Sequence, residues 1–207
     1  ACAPPPAEGY PGTVLQNENQ APVFDFPLSD QFGRLTSLED YKGDVVVLTF
    51  MYTNCQDVCP IVTNQLRNVH TQLSDQVGVE DVAVLVVSVD PERDTVDEAR
   101  RYLDRWGLVD DWKFLVGNRE VLSPIWKAYY IDPFEIGPAH SEVADEAHVD
   151  VPRPGSVEAL SQGIGSAYDV THSGPVYLID RQGLMRLLFT LPIDPQDLVH
   201  DVRLLLE

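Results

Sequence analysis

The sequence predicts an α/β fold with one mixed sheet flanked by helices, and three observations predict it. Two continuous apolar runs, 45–52 and 82–89, are rich in β-branched residues and read as strands buried on both faces. Each is followed by a stretch of helical period, 58–73 and 94–106, the alternation from which α/β sheets are built. Near the end, 176–179 and 184–188 flank Asp180-Arg181-Gln182-Gly183, a hairpin with a Gly-containing loop.

The chain opens with Pro4, Pro5, Pro6 and Pro11 among Gly9 and Gly12, so residues 1–20 are expected to form a flexible tether outside the fold. The folded domain is expected over 21–207. Residues 21–28 alternate apolar with polar, Asp30-Gln31-Phe32-Gly33 supplies turn chemistry, and 37–41 reads as a short helical turn. After the central strand, Val58, Ile61, Val62, Leu66, Val69 and Leu73 form one helical stripe. The helix over 94–106 opens on acidic residues and closes on Arg100, Arg101 and Arg105, the order that suits the helix dipole. A short strand (112–116) and a third helix (119–129) follow. Residues 132–166 then lose periodicity and gain Pro, Gly and acid; they read as a long acidic insertion, not a layer of the fold. Leu198, Val199, Val202, Leu205 and Leu206 make 195–207 a closing amphipathic helix. Trp106, Trp112 and Trp126 are expected in packing, and His70 and His200 at the surface.

Composition narrows the function classes. At 207 residues and 44% hydrophobic, the chain can bury one sizeable core. A net charge of −19 argues against nucleic acid, whose phosphates need clustered Lys and Arg, and against a polybasic membrane patch. Such a field favours cations or basic proteins. No apolar run approaches the roughly 20 residues that span a bilayer.

The three cysteines are the informative count. Cys2 heads the tether, either as the lipid-modified residue of a bacterial lipoprotein or as an incidental thiol. Cys55 and Cys59 sit where the buried strand hands over to the first helix, and α/β sites gather at the carboxyl ends of strands. If the helix starts near Cys55, the i, i+4 spacing puts both sulfurs on one face, at the helix end that favours thiolates. Such a pair can exchange with disulfides or bind a soft metal such as Cu(I). A plain stapling disulfide is the bland alternative, but one closing so small a loop would restrict the unfolded chain little. The pair alone does not separate metal binding from redox chemistry.

Three motifs add a resemblance. Tyr52-Thr53-Asn54-Cys55-Gln56-Asp57-Val58-Cys59-Pro60 resembles the signature of the Sco/SenC proteins, thioredoxin-fold factors implicated in building the binuclear copper site of cytochrome c oxidase. Ser88-Val89-Asp90-Pro91-Glu92-Arg93-Asp94-Thr95 is similar to a second motif of that family. Thr171-His172-Ser173, shortly before Val176-Tyr177-Leu178-Ile179-Asp180, is similar to a third. The resemblance runs from about Ala21 to the C-terminus. It implies a thioredoxin-like fold, copper as the metal, and Cys55, Cys59 and His172 as its ligands. That set is chemically apt, because two thiolates satisfy Cu(I) and an imidazole helps hold Cu(II). Asp90, at the end of the second strand, could tune the site from beside it or cap the following helix.

The chain departs from the family at two places: Gln56 stands where the usual motif has proline, and the 132–166 insertion is longer than usual. That insertion holds His140, Glu142, Asp145, Glu146, His148 and Asp150, which fit a solvated acidic loop better than a second metal site. Pro175 precedes a strand where thioredoxin-like folds often keep a cis-proline, though an ordinary trans bond is the base-rate expectation. The expected function is an extracytoplasmic copper-binding assembly factor, in the periplasm or on the outer face of the membrane and anchored through its N-terminus. Its expected partner is the copper-site subunit of cytochrome c oxidase, with another copper chaperone or a thiol reductant as a further one. The alternative is a thiol–disulfide oxidoreductase in which Cys55 and Cys59 are catalytic. No peroxidatic motif surrounds the cysteines.

Overall fold

The computed structural model describes residues 9–15, 25–74, 81–131, 134–136, 169–171 and 174–207. Its strands are β1 (Thr13–Val14), β2 (Leu28–Ser29), β3 (Leu35–Thr36), β4 (Val45–Met51), β5 (Val82–Ser88), β6 (Trp112–Leu115), β7 (Phe134–Ile136), β8 (Asp169–Thr171), β9 (Val176–Ile179) and β10 (Met185–Phe189). Its α-helices are α1 (Val58–Ser74), α2 (Val96–Trp106), α3 (Arg119–Ala128) and α4 (Pro195–Leu206), and a 3₁₀ turn spans Leu38–Tyr41.

Among the described residues the main sheet runs β1-β10-β9-β4-β5-β6. β4, β5 and β6 are parallel, while β9, β10 and β1 join antiparallel, giving the mixed sheet expected from the closing hairpin. All seven residues of β4 are buried, which is what a β-branched run without alternation requires of a central strand. Phe50 and Met51 point to opposite faces. The Met51 sulfur accepts a hydrogen bond from Thr63 of α1, and the Phe50 ring packs 5.4 Å from that of Tyr129, which closes α3. On the Met51 face, α1 joins α2 through the paired hydroxyls of Thr63 and Tyr102 (2.6 Å). It joins α4 through the Gln65 amide, which donates to Ile193 O just ahead of that helix. The result is helix, sheet, helix: the α/β architecture the sequence predicts. Trp112 and Trp126 are buried and Trp106 partly so, while His200 is exposed and His70 partly so.

The N-terminal expectation needs correction. Residues 9–15 do not trail free of the fold: Thr13 and Val14 pair with Leu188 and Leu187 of β10, and Leu15 N donates to Arg186 O. Gly12 N donates to the fully buried carboxylate of Asp201 on α4 (2.9 Å). The physical reason is the edge of β10, whose unpaired backbone groups take up any short segment able to extend beside them. Gly12 allows the approach, since a Cβ there would stand 2.6 Å from Phe189 Cε2.

At the insertion, β7 pairs with β8, Phe134 opposite Thr171 and Ile136 opposite Asp169, so the two ends of the excursion are tied together. Residues 137–168 between them lie outside the described residues, as do His140 and His148. Among the described residues the cis peptide bond falls at Leu191–Pro192 and not at Pro175. No helix among the described residues is long and apolar enough to cross a membrane.

Candidate metal and thiol site

The site is built at the carboxyl end of β4. After Met51 the chain turns through Tyr52–Cys55, closed by Cys55 N donating to Tyr52 O (3.3 Å), and enters α1 at Val58. Cys55 therefore precedes the helix by three residues, as the helical stripe from Val58 implies, and the two cysteines do not share one helix face. The sulfurs still meet, by a different geometry. Cys59 lies in the first turn, and its backbone N–H, one of the orphan donors of a helix start, points at Cys55 Sγ (3.3 Å). Neither cysteine is in a disulfide; Cys59 is fully buried and Cys55 nearly so. Burial pushes the Cys59 thiol up from its ordinary range, and the adjacent Cys55 sulfur pushes it further.

A second loop grips this turn from below. Asp94, buried between β5 and α2, accepts at Oδ1 from Thr53 N (2.9 Å) and Thr53 Oγ1 (2.7 Å), and at Oδ2 from Ser88 Oγ (2.6 Å). Asp94 N donates to Asp90 O (2.9 Å), so the 90–94 turn is itself closed. Burial raises the Asp94 carboxyl to about 6, against the lowering effect of its hydroxyl and amide donors.

Asp90 is buried at the end of β5; its carboxylate takes the Arg93 guanidinium and its N–H donates to Ser88 Oγ (3.1 Å). It does not cap α2: Thr95 does, its hydroxyl accepting from Glu98 N. Arg93 also lies over the Tyr52 ring, 5.6 Å from its centroid. In the sequence Asp94 is one acid among several at a helix start. The available signal was its place in the second family motif, well beyond the cysteines in the sequence.

His172 and Cys2 lie outside the described residues. The chain resumes at Gly174, where a Cβ would touch Val62 and Val58 of α1, and Pro175 O accepts from Thr49 Oγ1 of β4 (2.9 Å). Since Val176 pairs with Thr49 in antiparallel register, the strand that follows His172 starts beside the cysteine-bearing strand. Among the described residues no three of His, Cys, Asp and Glu converge as a metal group. What they supply is a pair of soft sulfur donors, a fit for Cu(I).

The SCO1/SenC family model matches residues 15–150. Over 181 residues the chain is 28% identical to the mitochondrial SCO2 homolog of Bos taurus, covering 86% of this chain and 58% of that protein. The chain thus spans little more than half the length of that relative. Among solved structures it is similar to Bradyrhizobium japonicum ScoI with copper bound (24% identity, TM-score 0.67, 89% of this chain and 99% of that one). It is also similar to BsSco, a member of the Sco family of cytochrome c oxidase assembly proteins in which a disulfide switch was identified (24% identity, TM-score 0.61, 88% and 91%). These likenesses show a thioredoxin-like fold.

Proposed function

Because the chain belongs to the SCO1/SenC family, we propose that it binds copper through Cys55, Cys59 and His172 and serves the assembly of cytochrome c oxidase, delivering copper to the oxidase's binuclear copper site. The observation that carries the reading is the pair of thiols at the head of α1, joined where the Cys59 N–H meets Cys55 Sγ. Two sulfurs suit Cu(I), and an imidazole would extend the set toward Cu(II). The copper-bound structural neighbour supports the metal. The oxidase-assembly neighbour supports the partner, the copper-site subunit of the oxidase.

The chain's own residues do three things in this reading. The amide of Cys59 and the turn at Tyr52 hold Cys55 Sγ in place for a metal. Burial keeps water from Cys59, so a bound copper is shielded on that side. The segment following His172 is fixed against α1 and β4 at Gly174 and Pro175, within reach of the same strand end. Localisation follows the function: the protein works outside the cytoplasm, anchored through Cys2, with the −19 charge attracting copper or a basic docking face.

One observation favours a second reading. An amide N–H aimed at the sulfur of one cysteine beside another is also the arrangement of a dithiol ready for exchange, so Cys55 and Cys59 could reduce the target's cysteines before metallation. Copper titration of the reduced protein, run beside His172→Ala with disulfide exchange assayed in parallel, separates the two. Stoichiometric binding that collapses in the variant supports copper carriage. Weak binding that ignores His172, together with fast exchange, would replace it with the thiol role.

A further inference from the structure

We infer that Asp94 is a positioning residue for the thiol site: its carboxylate holds the Thr53 turn so that Cys55 stays against Cys59. The inference rests on the reading of those two cysteines as the working pair, and on geometry that none of the motif resemblances supplies. Thr53 is buried, and both its backbone N–H and its hydroxyl end on the single oxygen Oδ1 of Asp94. The other oxygen is fixed by Ser88 Oγ at the end of β5, and Ser88 Oγ is in turn fixed by Asp90 N. A rigid strand end therefore sets the carboxylate, the carboxylate sets Thr53, and Thr53 lies two residues before Cys55. Removing the acceptor leaves a buried N–H without a partner at the point where the chain leaves β4, and the turn must move to find one.

Among the described residues, no Lys, Arg or His forms an ion pair with Asp94. Its three donors are neutral, so its place in the site is that of an acceptor of defined shape. An asparagine keeps that shape: its carbonyl can take both Thr53 donors while its amide faces Ser88 Oγ, which has lone pairs to spare.

The test uses the full-length, metal-free protein. The dithiol is equilibrated with oxidised glutathione; each protein disulfide formed between Cys55 and Cys59 consumes one glutathione disulfide and releases two glutathione thiols. Because the folded turn presents one sulfur to the other, loosening it lowers the effective concentration of the pair. Asp94→Ala is expected to lower the equilibrium constant for the Cys55–Cys59 disulfide about tenfold, a shift of about 30 mV. Asp94→Asn is expected to stay within about twofold. Thr53→Val, which loses only the hydroxyl, is expected to fall between them and serves if Asp94→Ala does not fold.

A folded Asp94→Ala protein with an unchanged constant overturns the inference. So does an Asp94→Asn protein shifted as far as the alanine variant, which would assign the effect to charge. The measurement contains no copper, so a chain that failed to bind copper yet showed this pattern would defeat only the proposed function.

Discussion

Asp30 and Asp94 are both buried carboxylates in turns, and they are furnished in opposite ways. Asp30 accepts from Phe32 N and Arg34 N (2.9 Å each) and pairs with the Arg34 guanidinium. Burial alone would raise it, but those amides and that guanidinium prevail and hold it below the usual carboxylate range. Asp180 repeats the design at the β9–β10 hairpin, with Gln182 N, Leu184 N and Arg186 as its donors. Asp94 has three neutral donors and, among the described residues, no ion-pair partner, and burial lifts it to about 6. The first two build turns that would be turns in any α/β protein, and each supplies its own counter-charge locally. The third reaches across to another loop, the one that carries the cysteines, and its charge is left for something else to balance.

Substitutions can break this contrast, beginning with the largest effect. Asp30→Ala orphans two amides and frees Arg34, and is expected to cost about 3 kcal/mol in urea denaturation; Asp180→Ala should cost a similar amount. The guanidinium of Arg34 is well exposed, so most of that loss belongs to the amides rather than to the ion pair. Asparagine sharpens the comparison. Asp30→Asn weakens charge-assisted bonds and should cost about 1–2 kcal/mol, whereas Asp94→Asn, which removes an uncompensated buried charge, should stay within about 0.5 kcal/mol at pH 7.

The pH dependence separates the two again, more weakly. Asp94 holds its proton more tightly folded than unfolded, so its contribution is lost as pH rises from about 4 to about 6 and is flat above that. Asp30 runs the other way, its contribution present above its ordinary value and lost only as pH falls through its lowered one. Denaturation midpoints measured from pH 4 to pH 7 should show the wild-type slope reduced in Asp94→Asn and kept in Asp30→Asn. Equal slopes in the two variants would mean that the environments are not different after all.

The same contrast explains what could be read from the sequence. Long elements announce themselves: β4, β5, α1, α2, the β9–β10 hairpin and α4 stand within a residue or two of where apolar runs and periods put them. Two- and three-residue strands have no period to detect, so the docking of β1 on β10 and the β7–β8 ribbon came only with the structure. Cysteines are legible because few chemistries use a close pair. How the two sulfurs meet was not, because the contact of the Cys59 N–H with Cys55 Sγ depends on the turn at Tyr52–Cys55, which has no period to read. Asp94 was hidden for a further reason: its partners Thr53 and Ser88 are ordinary polar residues, and hydrogen bonds across 41 residues leave no local pattern.

The most direct test of the account is a structure of the copper-loaded protein. One copper is expected, held by the sulfurs of Cys55 and Cys59 and an imidazole nitrogen of His172, with the Thr53–Asp94 hydrogen bonds intact. Copper bound elsewhere, or a Cys55–Cys59 disulfide with His172 turned away from it, would contradict that account.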